Sequence, residues 1–324
     1  MHSLFYGNAE ENDDLSKNPS YSGTTNNNNS SNMFNVLGGG NNQNNNNSTV
    51  GSSLLSGYAQ EVGIHVANAS SVKEYAYTED KNRAFRPDME DTYCHSDKVA
   101  GDSACGVFGV FDGHGGKTCS EHCADVFVPE MRKELQKQPG ELYQVLENVF
   151  LRIDKQLELM DSDHTGTTAV LGVVRRENNH NVLYVANAGD SRAVLSKNGQ
   201  AQRLSIDHKA NDPTEVQRVK QAGGSIMNDR VAGGLAITRA LGDHSYKSFG
   251  VTAMPYVVRH VLRPFDKYLV MGSDGIWDTV NDQQAIELCK DDLTTKQIAQ
   301  NIVKLALEKG SQDNISCLVI KFNN

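Results

Sequence analysis

Cys105-Gly106-Val107-Phe108-Gly109-Val110-Phe111-Asp112-Gly113-His114-Gly115-Gly116 is an almost unbroken apolar run that stops at an acidic residue. The part from Cys105 to Phe111 is too short for a buried helix and has the length of a buried strand. The same ending recurs along the chain. Leu269-Val270-Met271-Gly272-Ser273 leads into Asp274-Gly275, and Leu183-Tyr184-Val185-Ala186-Asn187-Ala188-Gly189 leads into Asp190. Asp313 stands just ahead of a further strand expected over Ile315–Phe322.

Working outward, strand patterns are read over Val62–Val66, Thr92–Cys94, Thr167–Val174, Val182–Ala186, Ser191–Ser196 and Tyr268–Gly272. Helical periodicity covers Lys117–Gln136 and Glu141–Met160, the latter with Leu142, Val145, Leu146, Val149, Ile153 and Leu157 on one face. A second pair is expected at Asp282–Lys290 and Thr294–Lys309, closed by Gly310 as a C-terminal cap. Strands joined by short turns, with helices arriving in pairs, do not spell a parallel βαβ repeat. They predict an α+β fold: a central antiparallel β-sandwich with a pair of antiparallel helices on each outer side.

The chain has 324 residues, 38% of them hydrophobic, and a formal net charge of -9. The low apolar content is local. Residues 1–50 hold fifteen Asn, the acids Glu10, Glu11, Asp13 and Asp14, and Lys17 as their one Lys or Arg. Such a segment cannot offset the entropy of ordering itself, so residues 1–58 are expected to be a disordered Asn-rich tail and residues 59–324 the folded domain. Deleting residues 1–58 should leave the melting temperature of the folded domain nearly unchanged, and a large fall would contradict that. No run of five Lys or Arg occurs, so nucleic acid is not an expected partner. The opening MHSLFYGNAEE has no basic and apolar leader pattern, and no apolar stretch is long enough to span a membrane. Six scattered Cys without a C-x-x-C pair read as reduced thiols, which gives a cytoplasmic expectation with a nuclear pool.

In an antiparallel sheet the end of one strand lies beside the start of its neighbour. Asp112, Asp190 and Asp274 at strand ends and Asp313 at a strand start are therefore expected at one edge, where Glu90 and Asp91 can join them. So many carboxylates repel one another unless cations neutralise them, and an all-oxygen set favours Mg²⁺ or Mn²⁺. His114, two residues beyond Asp112, becomes a candidate general acid. Arg86 offers a planar fork suited to a phosphate. Other chemistries lack their parts. No G-x-S-x-G or H-E-x-x-H is present, no Arg follows any Cys at six residues, and Gly116-Lys117-Thr118 lacks the leading Gly of a phosphate loop.

Arg86-Pro87-Asp88-Met89-Glu90-Asp91, Val110–Gly116, Ala188-Gly189-Asp190-Ser191-Arg192, Ser273-Asp274-Gly275-Ile276-Trp277-Asp278 and Asp313-Asn314-Ile315-Ser316 occur in the order found in metal-dependent protein phosphatases of the 2C type, which this chain resembles. Asp207-His208-Lys209, Gln221–Gly224 and Thr238–Asp243 are similar to that family's flap-bearing region. The resemblance implies a protein serine/threonine phosphatase with two Mg²⁺ or Mn²⁺ ions. Asp112 would bridge both ions, the Gly113 carbonyl would serve one, and Asp274 and Asp313 would hold the other. Glu90 and Asp91 would act through waters, with a weaker third position at Asp190, Asp274 and Asp278. A metal-bridging water would attack phosphorus directly while Arg86 holds the phosphate and His114 protonates the leaving group. The Asn-rich tail and compact C-terminus look most like a fungal member of the branch acting on stress-activated MAP kinases. The expected partners are thus phosphorylated proteins, those kinases among them, met by a monomer. Two other classes of protein share some of these features. A catalytically weak binding module of the same fold should lack a metal carboxylate, and none is missing. A calcineurin-like esterase needs G-D-x-x-D-R-G, whereas Ser191-Arg192-Ala193 follows Gly189-Asp190.

Overall fold

Along the strand Gly106–Phe111, successive side chains enter two different cores. Phe108 and Val110 point into the space between two sheets, where they meet Leu269, Met271, Leu318 and Ile320. Val107 and Phe111 point the other way, onto Phe127, Met131, Leu146, Val149 and Ile153 of two helices. This two-sided burial is why the segment is apolar throughout even though its sheet is antiparallel. Ile315–Lys321 is built alike, with Leu318 and Ile320 inside the sandwich and Ile315, Cys317 and Val319 under the helices of the opposite side.

The computed structural model describes residues 63–99, 101–102, 105–137, 142–160 and 162–323. The expected tail and its boundary lie outside the described residues. One sheet has six strands in the order His65–Ala67, Glu74–Asp80, Ile315–Lys321, Asp266–Gly272, Arg192–Lys197, Gln200–Arg203. The other has five, in the order Tyr256–Val261, His180–Ala188, Ala169–Glu177, Gly106–Phe111, Thr92–Ser96. Every pairing within the two sheets is antiparallel. Helices Thr118–Lys137 and Leu142–Glu158 cover the five-stranded sheet. Asp282–Glu287 and Thr295–Glu308, preceded by the single turn Asp274–Trp277, cover the six-stranded one. Burying each large aliphatic or aromatic side chain of these layers contributes about 1.5–3 kcal/mol. The α+β sandwich with flanking helices is the fold expected from the sequence.

Several boundaries differ from the sequence expectation, each for a local reason. Among the described residues the first strand is His65–Ala67, which starts where it pairs with Glu74–Asp80, and Val62 of the expected Val62–Val66 lies outside the described residues. The expected Thr167–Val174 breaks at Thr168, whose N–H bonds to the Asp112 carbonyl at 2.9 Å. Gly166–Thr167 leaves for a small three-stranded sheet, and Ala169–Glu177 begins anew. The helix from Asp282 stops at Glu287, three residues short of Lys290. The last helix starts where expected: Thr294 and Gln297 form a reciprocal capping box, and Gly310 takes φ +84° after its end.

Candidate active site

The sandwich brings its strand-end acids together. Asp112 follows Gly106–Phe111, Asp190 follows His180–Ala188, Asp274 follows Asp266–Gly272, and Asp313 precedes Ile315–Lys321. Burial raises the Asp112 carboxyl well above the usual range, and the charges of Asp91, Asp274, Asp190 and Asp313 push it further. Asp274 is raised in the same way by burial and then by Asp190, Asp313, Asp278 and Asp91. Asp91, 4% exposed, is pushed up to about 7 by burial although Ser316 and Ser273 hydrogen bond to it. The Ser273 hydroxyl donates to Asp91 Oδ2 at 2.8 Å. Each carboxylate thus senses the others through a poorly solvated space.

These acids do not already close on one point: among the described residues no three His, Cys, Asp or Glu side chains form a ready metal cage. Local cations engage several of them instead. Arg86 pairs with Asp313 Oδ2, and its Nε donates to the Gln312 carbonyl at 3.3 Å. The fork suited to a phosphate is therefore tethered on the rim of the site. Lys209 Nζ lies 3.1 Å from Asp278 Oδ1 and 3.5 Å from Asp190 Oδ2. Burial opposes protonation of Lys209, but Asp190 and Asp278 outweigh it and raise its pKa. No role for Lys209 was read in the sequence, because it reaches the acids from the flap region rather than from a strand end. The donor chemistry nonetheless fits hard divalent cations: buried carboxylates, Asp112 and Asp274 among them, raise one another's proton affinity, and among the described residues no cluster of His or Cys competes with them.

The glycines beside two of the acids are held by close backbone packing. A Cβ on Gly113 would lie 2.5 Å from the Glu90 carbonyl oxygen, and one on Gly275 only 2.0 Å from that of Asn314. The backbone of the neighbouring loop fills the space. Asn314 is the staple of that loop, since its Nδ2 donates to the carbonyls of Lys81 at 2.8 Å and Asp88 at 3.0 Å. Its Oδ1 accepts from the Glu90 N–H at 2.9 Å. The sequence motif containing Asn314 was read for Asp313 alone, and the structure shows that Asn314 fixes Arg86, Glu90 and Asp91 beside it.

His114 lies in the two-residue strand Gly113–His114, paired with Gly166–Thr167, which pairs in turn with Leu241–Gly242. This small sheet sets His114 against Asp243, with Nε2 2.7 Å from Asp243 Oδ2. Burial opposes the imidazolium, but the Asp243 bond and the charges of Asp243, Asp190 and Glu90 prevail and raise the pKa. A Cβ on Gly166 would sit 2.2 Å from Asp243 Oδ2 and 2.6 Å from His114 Nε2, so the pair has no slack on that side. Asp243 is 129 positions from His114, a separation at which no local spacing could have linked them.

Beneath the site His208 is 1% exposed and its Nε2 has no hydrogen-bond partner. Burial, helped by the nearby Arg239 charge, pushes its pKa down to about 3 from the ordinary 6.5. The native state therefore binds fewer protons than the unfolded chain between these values. Its neutral form leaves stability intact above pH 6.5, and stability is lost as the pH falls toward 3. The fall in melting temperature from pH 7 to pH 5 should be smaller in His208→Gln than in the wild type. Equal falls in the two proteins would contradict this account of His208.

A family model described as "Protein phosphatase 2C" matches residues 75–315. The chain is 38% identical over 259 residues to "Protein phosphatase 2C homolog 1" of Saccharomyces cerevisiae, covering 75% of this chain and 91% of the relative. It is 35% identical over 247 residues to "Protein phosphatase 2C homolog 1" of Schizosaccharomyces pombe, covering 75% and 71%. Among solved structures, "serine-threonine phosphatase 2C from Toxoplasma gondii" aligns with a TM-score of 0.68 at 23% identity, over 81% of this chain and 99% of that one. At that identity the structural match bears on the fold alone.

Proposed function

The chain belongs to the protein phosphatase 2C family, and from that premise we propose that it hydrolyses phosphoserine and phosphothreonine in proteins with divalent ions held at the acidic end of the sandwich. The observation that carries this reading is the convergence of acids from several strand ends at one end of the sandwich, where burial and the charges of neighbouring carboxylates, Asp190 and Asp313 among them, raise Asp112 and Asp274, and Asp91 is raised beside them. Two Mg²⁺ or Mn²⁺ ions would be held by Asp112, the Gly113 carbonyl, Asp274 and Asp313, with Glu90 and Asp91 acting through waters. Asp190 and Asp278, with Asp274, would serve a weaker third position. When bound, such ions neutralise the carboxylates and supply a water whose pKa falls from about 15.7 toward about 7.

The chain's own residues do the rest. Arg86, anchored through Asp313 and Gln312, keeps N–H donors for phosphate oxygens, where charge accumulates. The bond between His114 Nε2 and Asp243 fixes the ring, which leaves Nδ1 as the atom that gives a proton to the departing serine or threonine oxygen. Asn314 holds the loop of Arg86, Glu90 and Asp91 at a fixed distance from Asp313.

We further propose stress-activated MAP kinases among the substrates, a reading that rests on the Asn-rich first fifty residues and the compact C-terminus of the sequence. A cytoplasmic place, with a nuclear pool, is supported by six free cysteines, five of them buried. Calorimetric titration of the EDTA-stripped chain with Mn²⁺ tests the ion assignment. Two tight sites are expected in the wild type, with loss of binding in Asp274→Asn. Absence of any uptake by the wild type would overturn the assignment.

A further inference from the structure

Asp243 holds His114 from a segment that its small sheet does not fix by itself. Its backbone is left-handed, with φ 51° and ψ 42°, which a non-glycine residue keeps only where its surroundings impose it. Gly242 before it has φ +80°, and a Cβ there would meet the Thr165 carbonyl oxygen at 2.5 Å. One carboxylate from another layer of the fold holds both sides of this segment. Asp154, on helix Leu142–Glu158, accepts from the Gly242 N–H at 2.9 Å and from Lys247 Nζ at 2.8 Å, and its Oδ1 lies 3.6 Å from His244 Nε2. Lys247 Nζ also donates to the Ala240 carbonyl at 2.8 Å, so residues on either side of Asp243 are tied to the same anion. The helix beneath is firmly seated through Val149, Ile153 and Leu157, all fully buried. On the far side the Asp243 N–H bonds to the Thr165 carbonyl at 2.8 Å, and the His244 N–H to that of Ser162 at 3.1 Å.

We infer that Asp154 is a positioning residue for proton donation: it touches neither the phosphate nor the ion site, but sets where the Asp243 carboxylate stands and so how His114 is aimed. The inference rests on His114 acting as the acid, as proposed above. It follows from the geometry because the pair is packed against Gly166 without slack, so a shift of the 240–247 segment must turn or break the bond to His114. A misplacement of about 1 Å in catalytic geometry can cost on the order of 10²-fold in rate.

The test compares two leaving groups in the full-length, Mn²⁺-loaded protein. In Asp154→Ala, kcat on a phosphothreonine peptide should fall about 10- to 50-fold with KM within about twofold, while turnover of p-nitrophenyl phosphate, whose leaving group hardly needs a proton, should fall less than about threefold. Asp154→Asn keeps an oxygen for the Gly242 N–H and should recover most of the loss. Adding Asp154→Ala to His114→Asn should cost nothing further, because both act through one proton transfer. Should Asp154→Ala fail to fold, Lys247→Met releases only part of the clamp and should show the same leaving-group selectivity at a loss of about 3- to 10-fold, within the range of a misoriented acid. Equal losses on both substrates, or unchanged phosphothreonine turnover, would overturn the positioning role. If His114→Asn is selective and Asp154→Ala is not, this role alone falls. If His114→Asn is itself unselective, the acid assignment falls and takes this inference with it.

Discussion

Asp112→Ala and Asp274→Ala are each expected to lower Mn²⁺-dependent turnover on the order of 10³-fold, well beyond the 10- to 100-fold typical of losing a group that only supports a ligand. Each change removes an anion from a set whose members raise one another's proton affinity. Ion affinity and turnover should therefore fall together. The fold should not. Both acids lie beyond strand ends, whereas the core consists of the aliphatic and aromatic layers on either side. Without metal, the sign reverses. Burying these charges together destabilises the empty protein, so above pH 7 the EDTA-treated variants should melt at or above the wild-type temperature. Ion titration, turnover and melting curves on the same samples check all three. Near-normal Mn²⁺-dependent turnover in either variant would remove that residue from the site.

His114→Asn should cost about 10²-fold or more on phosphothreonine peptides, the usual scale for a positioned general acid. A serine or threonine alkoxide needs a proton to leave, whereas p-nitrophenolate hardly does, so the loss on p-nitrophenyl phosphate should be much smaller. Ion affinity should stay close to wild type, because Asp243, rather than an acid of the ion site, is the hydrogen-bond partner of His114. Parallel kinetics on the two substrates with an ion titration decide the matter. Equal losses, or a large rise in the Mn²⁺ requirement, would make His114 an organiser of the ion site.

What was legible in the sequence was whatever repeats at short range. Two-sided burial makes Gly106–Phe111 apolar throughout and Ile315–Lys321 apolar at every buried position but Ser316, and Asp112, Asp274 and Asp313 are marked by their place at the ends of such strands. Glu74–Asp80 escaped notice although it lies inside the six-stranded sheet. Its Tyr75 and Tyr77 enter the core and Ala76 is buried between them, while polar residues fill the remaining four positions. Gln200–Arg203 escaped because it is an edge strand with no apolar alternation. Tyr256–Val261 and the helix Pro213–Gln221 fell in or beside a stretch read only as flap. The partners of the site were hidden for a different reason. Asp243 meets His114 across 129 positions, Asn314 reaches Lys81 across 233, and Lys209 approaches Asp278 across 69. Such contacts depend on how sheets and flap are stacked, which no local spacing encodes.

The most direct measurement is release of phosphate from a phosphothreonine peptide by the full-length protein after EDTA stripping, with and without added Mn²⁺. The carboxylate cluster predicts negligible release from the stripped protein and full recovery on adding Mn²⁺ or Mg²⁺, and neither should occur in Asp112→Ala. Undiminished hydrolysis by the stripped protein, or none after ions are restored to a chain that binds them, would contradict the account at its centre.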